Sequence, residues 1–182
     1  DIVHGVGNAG NAAVAAAHLG LTSALVSHVG SDENGRAGIA VWEHARVHTE
    51  FVTVHPTLHT HYHFVLRLGA ERTILIKHEL WPYAFPALTE SPQWLYLTST
   101  GEHGEAYHHE IAAYLQAHPE TKLAFQPGTF QIQLSAEGRI PDIYAATEIF
   151  FCNKEEAQRI LNTSEDDIVA LMQGITALGP RA

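Results

Sequence analysis

The feature that most constrains the fold is an alternation of apolar strand-like segments with helical segments from residue 94 onward. Strands separated by helices need crossover connections, which leave the strands parallel to one another. Such βαβ units build a mostly parallel sheet with helices on both faces. The predicted strands are residues 94–98, 123–126 and 148–152, and the predicted helices are 105–117, 141–146, 154–161 and 165–177.

The start of the chain adds further elements of the same kind. An alanine-rich helix is predicted over residues 11–19, and Gly20 stands at the usual place for its carboxyl end. A strand is predicted over residues 22–29. Asp32 then follows in a turn and is a suitable cap for a second helix that runs to about Arg46.

Residues 50–78 differ in character and predict a small antiparallel sheet inserted into the α/β core. In its second strand, His61, His63, Val65 and Arg67 alternate with Tyr62, Phe64, Leu66 and Leu68, so the two sets lie on opposite faces. We expect this sheet to be a lid or an oligomer contact. Its strands are predicted at residues 51–55, 60–68 and 72–77.

Charge and cysteine content limit the partners and the compartment. The formal net charge of -10 and the pI of about 5.7 argue against nucleic acid or an anionic membrane as the main partner. No apolar run approaches the roughly 20 residues that a membrane helix needs. Cys152 is the single cysteine, which excludes an internal disulfide and favours a reducing compartment such as the cytoplasm.

The length of 182 residues suffices for one domain or for part of one. The chain does not begin with Met, and residues 177–182 resemble the approach to a further element. We therefore expect a piece of a longer protein.

Residues 5–10 (GVGNAG) match the glycine spacing of dinucleotide-binding loops. That interpretation also needs an acidic residue at the end of the following strand to hold the ribose, and the strand here ends with Ser-His-Val at residues 27–29. A nicotinamide-type oxidoreductase domain and a loop that only packs a helix against a sheet both stay open.

The same loop is part of a longer pattern. Residues 7–13 (GNAGNAA), 19–20 (LG) and 29–35 (VGSDENG) together resemble the first sequence pattern of the ribokinase-like, or PfkB, carbohydrate kinases. The departure is Val6, where that family usually has Gly or Ala. Exposed backbone N–H groups and an asparagine amide supply both donors and acceptors, which the hydroxyls of a polyol require. The resemblance implies that Gly7, Asn8 and Asn11 bind the substrate.

Residues 153–157 (NKEEA) follow a predicted strand and resemble the Asn-x-x-Glu motif of the same family. The resemblance implies that Asn153 and Glu156 bind the nucleotide phosphates and that Glu156 holds Mg²⁺ through water. Mg²⁺ keeps several waters and prefers oxygen ligands, so one carboxylate at a strand end is chemically reasonable. The structural alternative is an acidic first turn that complements the helix dipole.

The resemblance extends over essentially the whole chain and implies a three-layer α/β/α ribokinase-like fold with a β lid, truncated on its carboxyl side. It implies an ATP- and Mg²⁺-dependent kinase of a sugar, nucleoside or related alcohol. The catalytic aspartate of the family lies in a Gly-Ala-Gly-Asp stretch, and no Gly-x-Gly-Asp occurs here. We therefore assign no catalytic residue and expect this chain alone to be inactive. A non-catalytic sugar-binding homologue is a further alternative, and the lid implies a homodimer.

Histidines are numerous, with 14 in the chain. His59, His61 and His63 alternate on the presumed lid strand and are interpreted as solvated or dimer-facing, with a zinc site and a sugar contact from the lid as the alternatives. Three more, at positions 103, 108 and 109, are predicted to lie at the surface. Cys152 ends an apolar strand and is interpreted as a core residue rather than a nucleophile.

Overall fold

The chain folds into two separately packed units, with the boundary between Trp81 and Pro82. The computed structural model describes residues 2–182. Within that range, every helix is too short or too polar to cross a bilayer. The first unit contains α1 (Asn8–His18), β1 (Ser27–Gly30), α2 (Glu33–His44), β2 (Val52–His55), β3 (Tyr62–Leu68) and β4 (Glu71–Lys77).

Strand β2 pairs with β1 in parallel, in a register that runs from Ser27 beside Val52 to Gly30 beside His55. The prediction that residues 51–55 belong to the antiparallel sheet was therefore wrong. The α2 helix lies between the two strands in the chain and forms the crossover that a parallel pair requires. The predicted strand over 22–29 is also shorter than expected, because its first half contributes only an isolated bridge to the ladder.

Strands β3 and β4 form a two-stranded antiparallel hairpin. Gly69 lies in its turn with a φ of 60°, a left-handed conformation that glycine adopts at no steric cost. The predicted alternation on β3 is confirmed, since cross-strand pairing places Phe64 with Leu75 on one face and Val65 with Ile74 on the other. Both faces of this hairpin are exposed over most of their length.

The carboxylate of Asp32 joins three parts of the first unit. It caps α2 by accepting from the N–H of Gly35 at 2.9 Å, as predicted. It also accepts from the N–H of Thr60 at 2.9 Å and from the Thr60 hydroxyl at 2.6 Å. The Thr60 hydroxyl in turn accepts from the N–H of Gly30, at the end of β1, at 3.0 Å. Partial desolvation opposes ionisation, but these hydrogen bonds lower the pKa of Asp32 to about 2.

A cluster of imidazoles surrounds the buried indole of Trp81. The ring centroids of His28, His55 and His61 lie 5.7, 4.9 and 5.0 Å from that of Trp81. Nδ1 of His28 lies 2.9 Å from Nε2 of His55, within hydrogen-bonding distance. Desolvation, together with the nearby His55 and His61, lowers the pKa of His28 to about 4. This environment therefore favours the neutral form of His28.

The second unit is a three-stranded parallel sheet with β6 in the centre and β5 and β7 on either side. Its buried core contains Phe125, Leu123, Ile140 and Ile143, which are almost completely inaccessible. The prediction of βαβ units is confirmed here. The elements are β5 (Trp94–Leu97), α3 (Glu105–Ala117), β6 (Lys122–Phe125), α4 (Thr129–Ala136), α5 (Pro141–Ala145), β7 (Thr147–Phe150), α6 (Lys154–Ile160) and α7 (Ile168–Ala177).

Helix α4 was not predicted. It begins directly after a Pro-Gly pair at residues 127–128, which is a typical turn signal. Gly128 is its N-cap, and the side chain of Gln131 accepts from the Gly128 N–H at 2.7 Å. A glutamine three residues after the cap is the signal that could have located this helix.

The contacts of Asp32 predict a measurable coupling with Thr60. We expect Asp32→Ala to lower the free energy of unfolding by about 2 kcal/mol, because it removes a cap and the acceptor of two further donors. In a double-mutant cycle with Thr60→Val, the interaction energy should be about 1 kcal/mol. Asn34→Ala, at an exposed position of the same helix, is the control. Strictly additive losses in urea denaturation would contradict this prediction.

The low pKa of His28 predicts an acid-sensitive stability. In the unfolded chain His28 binds a proton near its ordinary pKa of 6.5, whereas in the folded chain it resists protonation down to about 4. The unfolded state binds more protons in that window, so stability contributed by neutral His28 is lost as the pH falls from 6.5 towards 4.

We therefore expect His28→Phe to lose less stability than the native chain between about pH 7 and pH 5. Urea denaturation at both pH values measures this difference. His63→Phe makes the same replacement at an exposed position of β3 and is the matched control. Equal losses for the native chain and His28→Phe would overturn the prediction.

Candidate functional site

The glycines that precede and open α1 have two different roles. The carbonyl of Gly5 accepts a hydrogen bond from Nε1 of Trp42 at 2.8 Å. A Cβ at Gly10 would lie 2.9 Å from the same nitrogen. These two glycines therefore allow the start of α1 to pack closely against Trp42. Their role is structural, although they pack α1 against helix α2 and not against a sheet as predicted.

Gly7 has no such role in packing. Its φ is 131°, and a Cβ built there would meet nothing within 4 Å. It is the N-cap residue of α1, and no side chain caps this helix. The first turn of α1 therefore presents backbone N–H groups beside open space, where a ligand can approach the main chain closely.

Asn8 and Asn11 are both exposed and lie in the first turn of α1. Residues three apart share one face of a helix, so the two amides lie near each other and near Gly7. The structure thus brings together the three residues predicted to bind substrate. The helix begins at Asn8, and Asn11 is therefore not a cap; its backbone N–H donates to the Gly7 carbonyl at 2.8 Å.

The dinucleotide interpretation lacks the local structure that it needs. Residues 2–6 form no strand in the described part of the chain, whereas the fingerprint requires a strand that leads into the glycine loop. The strand after α1, β1, ends with Gly30 and carries no acidic side chain. The first acidic residue after it, Asp32, is fully engaged by Gly35 and Thr60.

Asn153 and Glu156 lie at the start of α6, shortly after the carboxyl end of β7. The Asn153 side-chain oxygen accepts from the N–H of Glu156, and the Glu156 carboxylate accepts from the N–H of Asn153, both at 2.9 Å. This reciprocal pair is a capping box, which gives both residues a structural role at the start of α6. Asn153 is nevertheless exposed and Glu156 is only half-buried, and a carboxylate has further acceptor positions for solvated Mg²⁺.

Cys152 is half-buried against the core of the second unit. Burial, together with the charge of Glu156, raises the pKa of its thiol. A thiol with a raised pKa is a poor nucleophile. The interpretation of Cys152 as a core residue is consistent with this environment.

His108 is fully buried, and the prediction that it lies at the surface was wrong. It is on the same face of α3 as Ile111 and Leu115, which are buried too. Its Nε2 atom lies 3.1 Å from the side-chain nitrogen of Gln131, which is also fully buried. These residues lie where β5 and β6 end, which is the edge at which parallel α/β sheets bind ligands.

Two hydroxyls near the same edge have no hydrogen-bond partner among residues 2–182. They belong to Thr98 and Thr100, and both oxygen atoms are buried. Thr98 follows β5 directly, and Thr100 lies in the loop that leads to α3. Sequence analysis did not single out these residues, because an isolated threonine has no distinctive spacing.

The three histidines have separate environments, and the prediction that they alternate on one strand was wrong, because only His63 lies on β3. Nδ1 of His59 lies 3.6 Å from a carboxylate oxygen of Asp32, and His61 accepts from the N–H of Glu79 at 2.6 Å. His63 lies on β3 and is exposed. Among the described residues, no three His, Cys, Asp or Glu side chains are arranged to hold a metal ion. The zinc alternative therefore has no support.

Comparison with known proteins decides the family. Residues 3–181 match the pattern of the pfkB family carbohydrate kinases. The chain belongs to this family. A search of the curated proteins finds no match.

Solved structures show the ribokinase-like α/β fold. A PfkB protein from Polaromonas sp. JS666 superposes with a TM-score of 0.73 at 16% identity, over 93% of this chain and 62% of that one. The fructokinase with bound ATP from Xylella fastidiosa gives 0.67 at 19%, over 96% and 58%. A putative ribokinase II from E. coli gives 0.71 at 14%, over 92% and 57%. The chain thus spans 57 to 62% of the length of these family members.

Proposed function

We propose that the protein to which this chain belongs is an ATP-dependent kinase that phosphorylates an alcohol group of a sugar or a related compound. The observation that carries this proposal is the open start of α1. There, the space where a side chain at Gly7 would lie is empty, and no side chain caps the helix. Asn8 and Asn11 share one exposed face of the same turn. Donors and acceptors close together on an accessible surface suit a polyhydroxylated ligand.

For the nucleotide, we propose the corner formed by Asn153 and Glu156. A carboxylate and an amide at the carboxyl end of a strand are oxygen donors of the kind that Mg²⁺ prefers. When bound, Mg²⁺ neutralises phosphate charge during phosphoryl transfer. Glu156 would hold the hydrated ion, and Asn153 would keep the carboxylate oriented through the capping box. The ATP complex of the Xylella fructokinase supports ATP as the nucleotide.

The proton-accepting group is not assigned to this chain. Residues 1–182 contain no Gly-x-Gly-Asp stretch, which the family uses for the catalytic aspartate. In our proposal the chain contributes substrate binding and phosphate orientation but does not complete the reaction. A non-catalytic sugar-binding homologue is the second candidate, and a Gly-Ala-Gly-Asp stretch in the coding sequence that follows residue 182 would exclude it.

The cytoplasm is the compartment that we propose. A sugar kinase needs ATP, and the lone Cys152 forms no internal disulfide. Both features fit a reducing compartment that contains ATP.

The lid hairpin supports a homodimer. One face of it carries Tyr62, Phe64, Leu66, Leu68 and Leu75, and all of these side chains are exposed. An isolated two-stranded hairpin is only marginally stable in water, so an apolar face of this kind needs cover. We propose that the same face of a second copy covers it.

The proposed sugar site predicts a selective binding loss. Calorimetric titration of this chain with a panel of sugars, sugar acids and nucleosides should detect at least one ligand. Asn11→Ala should weaken that binding about tenfold or more, because a polar group of the ligand loses its partner. Asn34→Ala, at an exposed position of α2, should leave the affinity unchanged.

Binding of NADH without binding of any polyol would reject the proposal. A phosphoryl-transfer assay with the best ligand, ATP and Mg²⁺ should show no turnover by this chain alone. Turnover would show that our assignment of the catalytic group outside it is wrong.

The dimer proposal predicts that a charge weakens the dimer only when it is placed on the apolar face of the hairpin that carries Phe64. Phe64→Lys places a charge in the proposed interface and should shift the chain from dimer to monomer in sedimentation equilibrium. Val65→Lys is the matched control, because the adjacent residue lies on the opposite face of β3. A monomeric native chain, or equal effects of the two substitutions, would contradict the proposal.

A further inference from the structure

The ends of β5 and β6 are joined by side chains beyond the last bond of their ladder. That ladder ends where the N–H of Gln126 donates to the Leu97 carbonyl at 2.9 Å. Beyond this point the connection passes to Gln131 on α4 and His108 on α3, which are both fully buried. We propose that Gln131 and His108 are positioning residues that hold the two strand-end loops in one geometry at the ligand-binding edge.

The side-chain amide of Gln131 uses all of its hydrogen-bonding capacity. Its oxygen accepts from the N–H of Gly128 at 2.7 Å and from the N–H of Thr100 at 3.2 Å. Its nitrogen donates to the Thr98 carbonyl at 2.9 Å and to Nε2 of His108 at 3.1 Å. A glutamine offers two donors and two acceptor positions, so none is left over. One side chain therefore fixes backbone groups from both loops.

His108 determines which way this amide points. Its Nδ1 lies 2.5 Å from the carbonyl of Gly104, which can only accept, so Nδ1 carries the proton. Its Nε2 is then unprotonated and accepts from Gln131. An inverted amide would place its oxygen against both this bare nitrogen and the Thr98 carbonyl, which is repulsive. Desolvation lowers the pKa of His108, and the neutral ring that the arrangement requires is thereby favoured.

The loops that are held in this way lie at the edge where the unpartnered hydroxyls of Thr98 and Thr100 are found. Because Gln131 binds the backbone of both threonines, it controls where their hydroxyls lie. That the edge receives a sugar or phosphate rests on the proposed function. The contacts of Gln131 and His108 do not rest on it.

Gln131→Met is the first test, because methionine has a similar volume and makes none of the four hydrogen bonds. Amide hydrogen exchange of the chain at Thr100 and Gly128 should become at least about tenfold faster than in the native chain. The β6 amides should change only by the overall loss of stability. Gln133→Met, at an exposed position of the same helix, is the control. Unchanged relative exchange at Thr100 and Gly128 would overturn the proposal.

Gln131→Glu is the second test, and it is decisive if Gln131→Met does not fold. A carboxylate beside Nε2 of His108 accepts where the native amide donates, so it favours the charged imidazole. The ring nitrogen shifts of His108 should move towards those of imidazolium near neutral pH. Unmoved shifts would mean that Gln131 only fills space. Neither readout depends on sugar or ATP, so failure here is distinguishable from failure of the kinase proposal.

Discussion

The carboxylate of Asp32 is the interaction on which the first unit depends. It caps the N-terminus of α2, accepts two hydrogen bonds from Thr60 and, through the Thr60 hydroxyl, fixes the end of β1. The flanking glycines are required because a Cβ at Gly30 or Gly35 would collide with backbone atoms of the approaching segments. Glycine is therefore required on steric grounds within residues 29–35, because the start of α2, the end of β1 and the segment that enters the hairpin meet there.

In the second unit, the side chain of Gln131 holds neighbouring segments together, as Asp32 does in the first. Where a parallel ladder ends, backbone N–H and C=O groups lose their partners and must find others. Gln131 supplies hydrogen-bond partners for the backbone at the ends of β5 and β6, and His108 keeps the Gln131 amide in one orientation. In both units, a single polar side chain thus organises the edge at which the family's ligands are expected to bind.

Local patterns predicted some features well and others poorly. The bounds of α3 and the cap at Asp32 followed from apolar periodicity and capping chemistry, which are properties of neighbouring residues. The partner of β2 could not be predicted, because alternation looks the same in a parallel and an antiparallel strand. The buried network at Gln131 was missed since three of the four contacts of this side chain join positions 23 to 33 residues apart. His108 was missed although its spacing to Ile111 and Leu115 indicated burial.

The exposed hairpin has a consequence for how this protein can diversify. Its root is held by Asp32 and by the rings around Trp81, whereas the side chains along β3 and β4 bury little within their own unit. Substitutions along β3 and β4 therefore cost the remainder of the fold almost no stability. Substitutions there would act on the proposed contact with a second copy rather than on the fold of the domain that carries the hairpin.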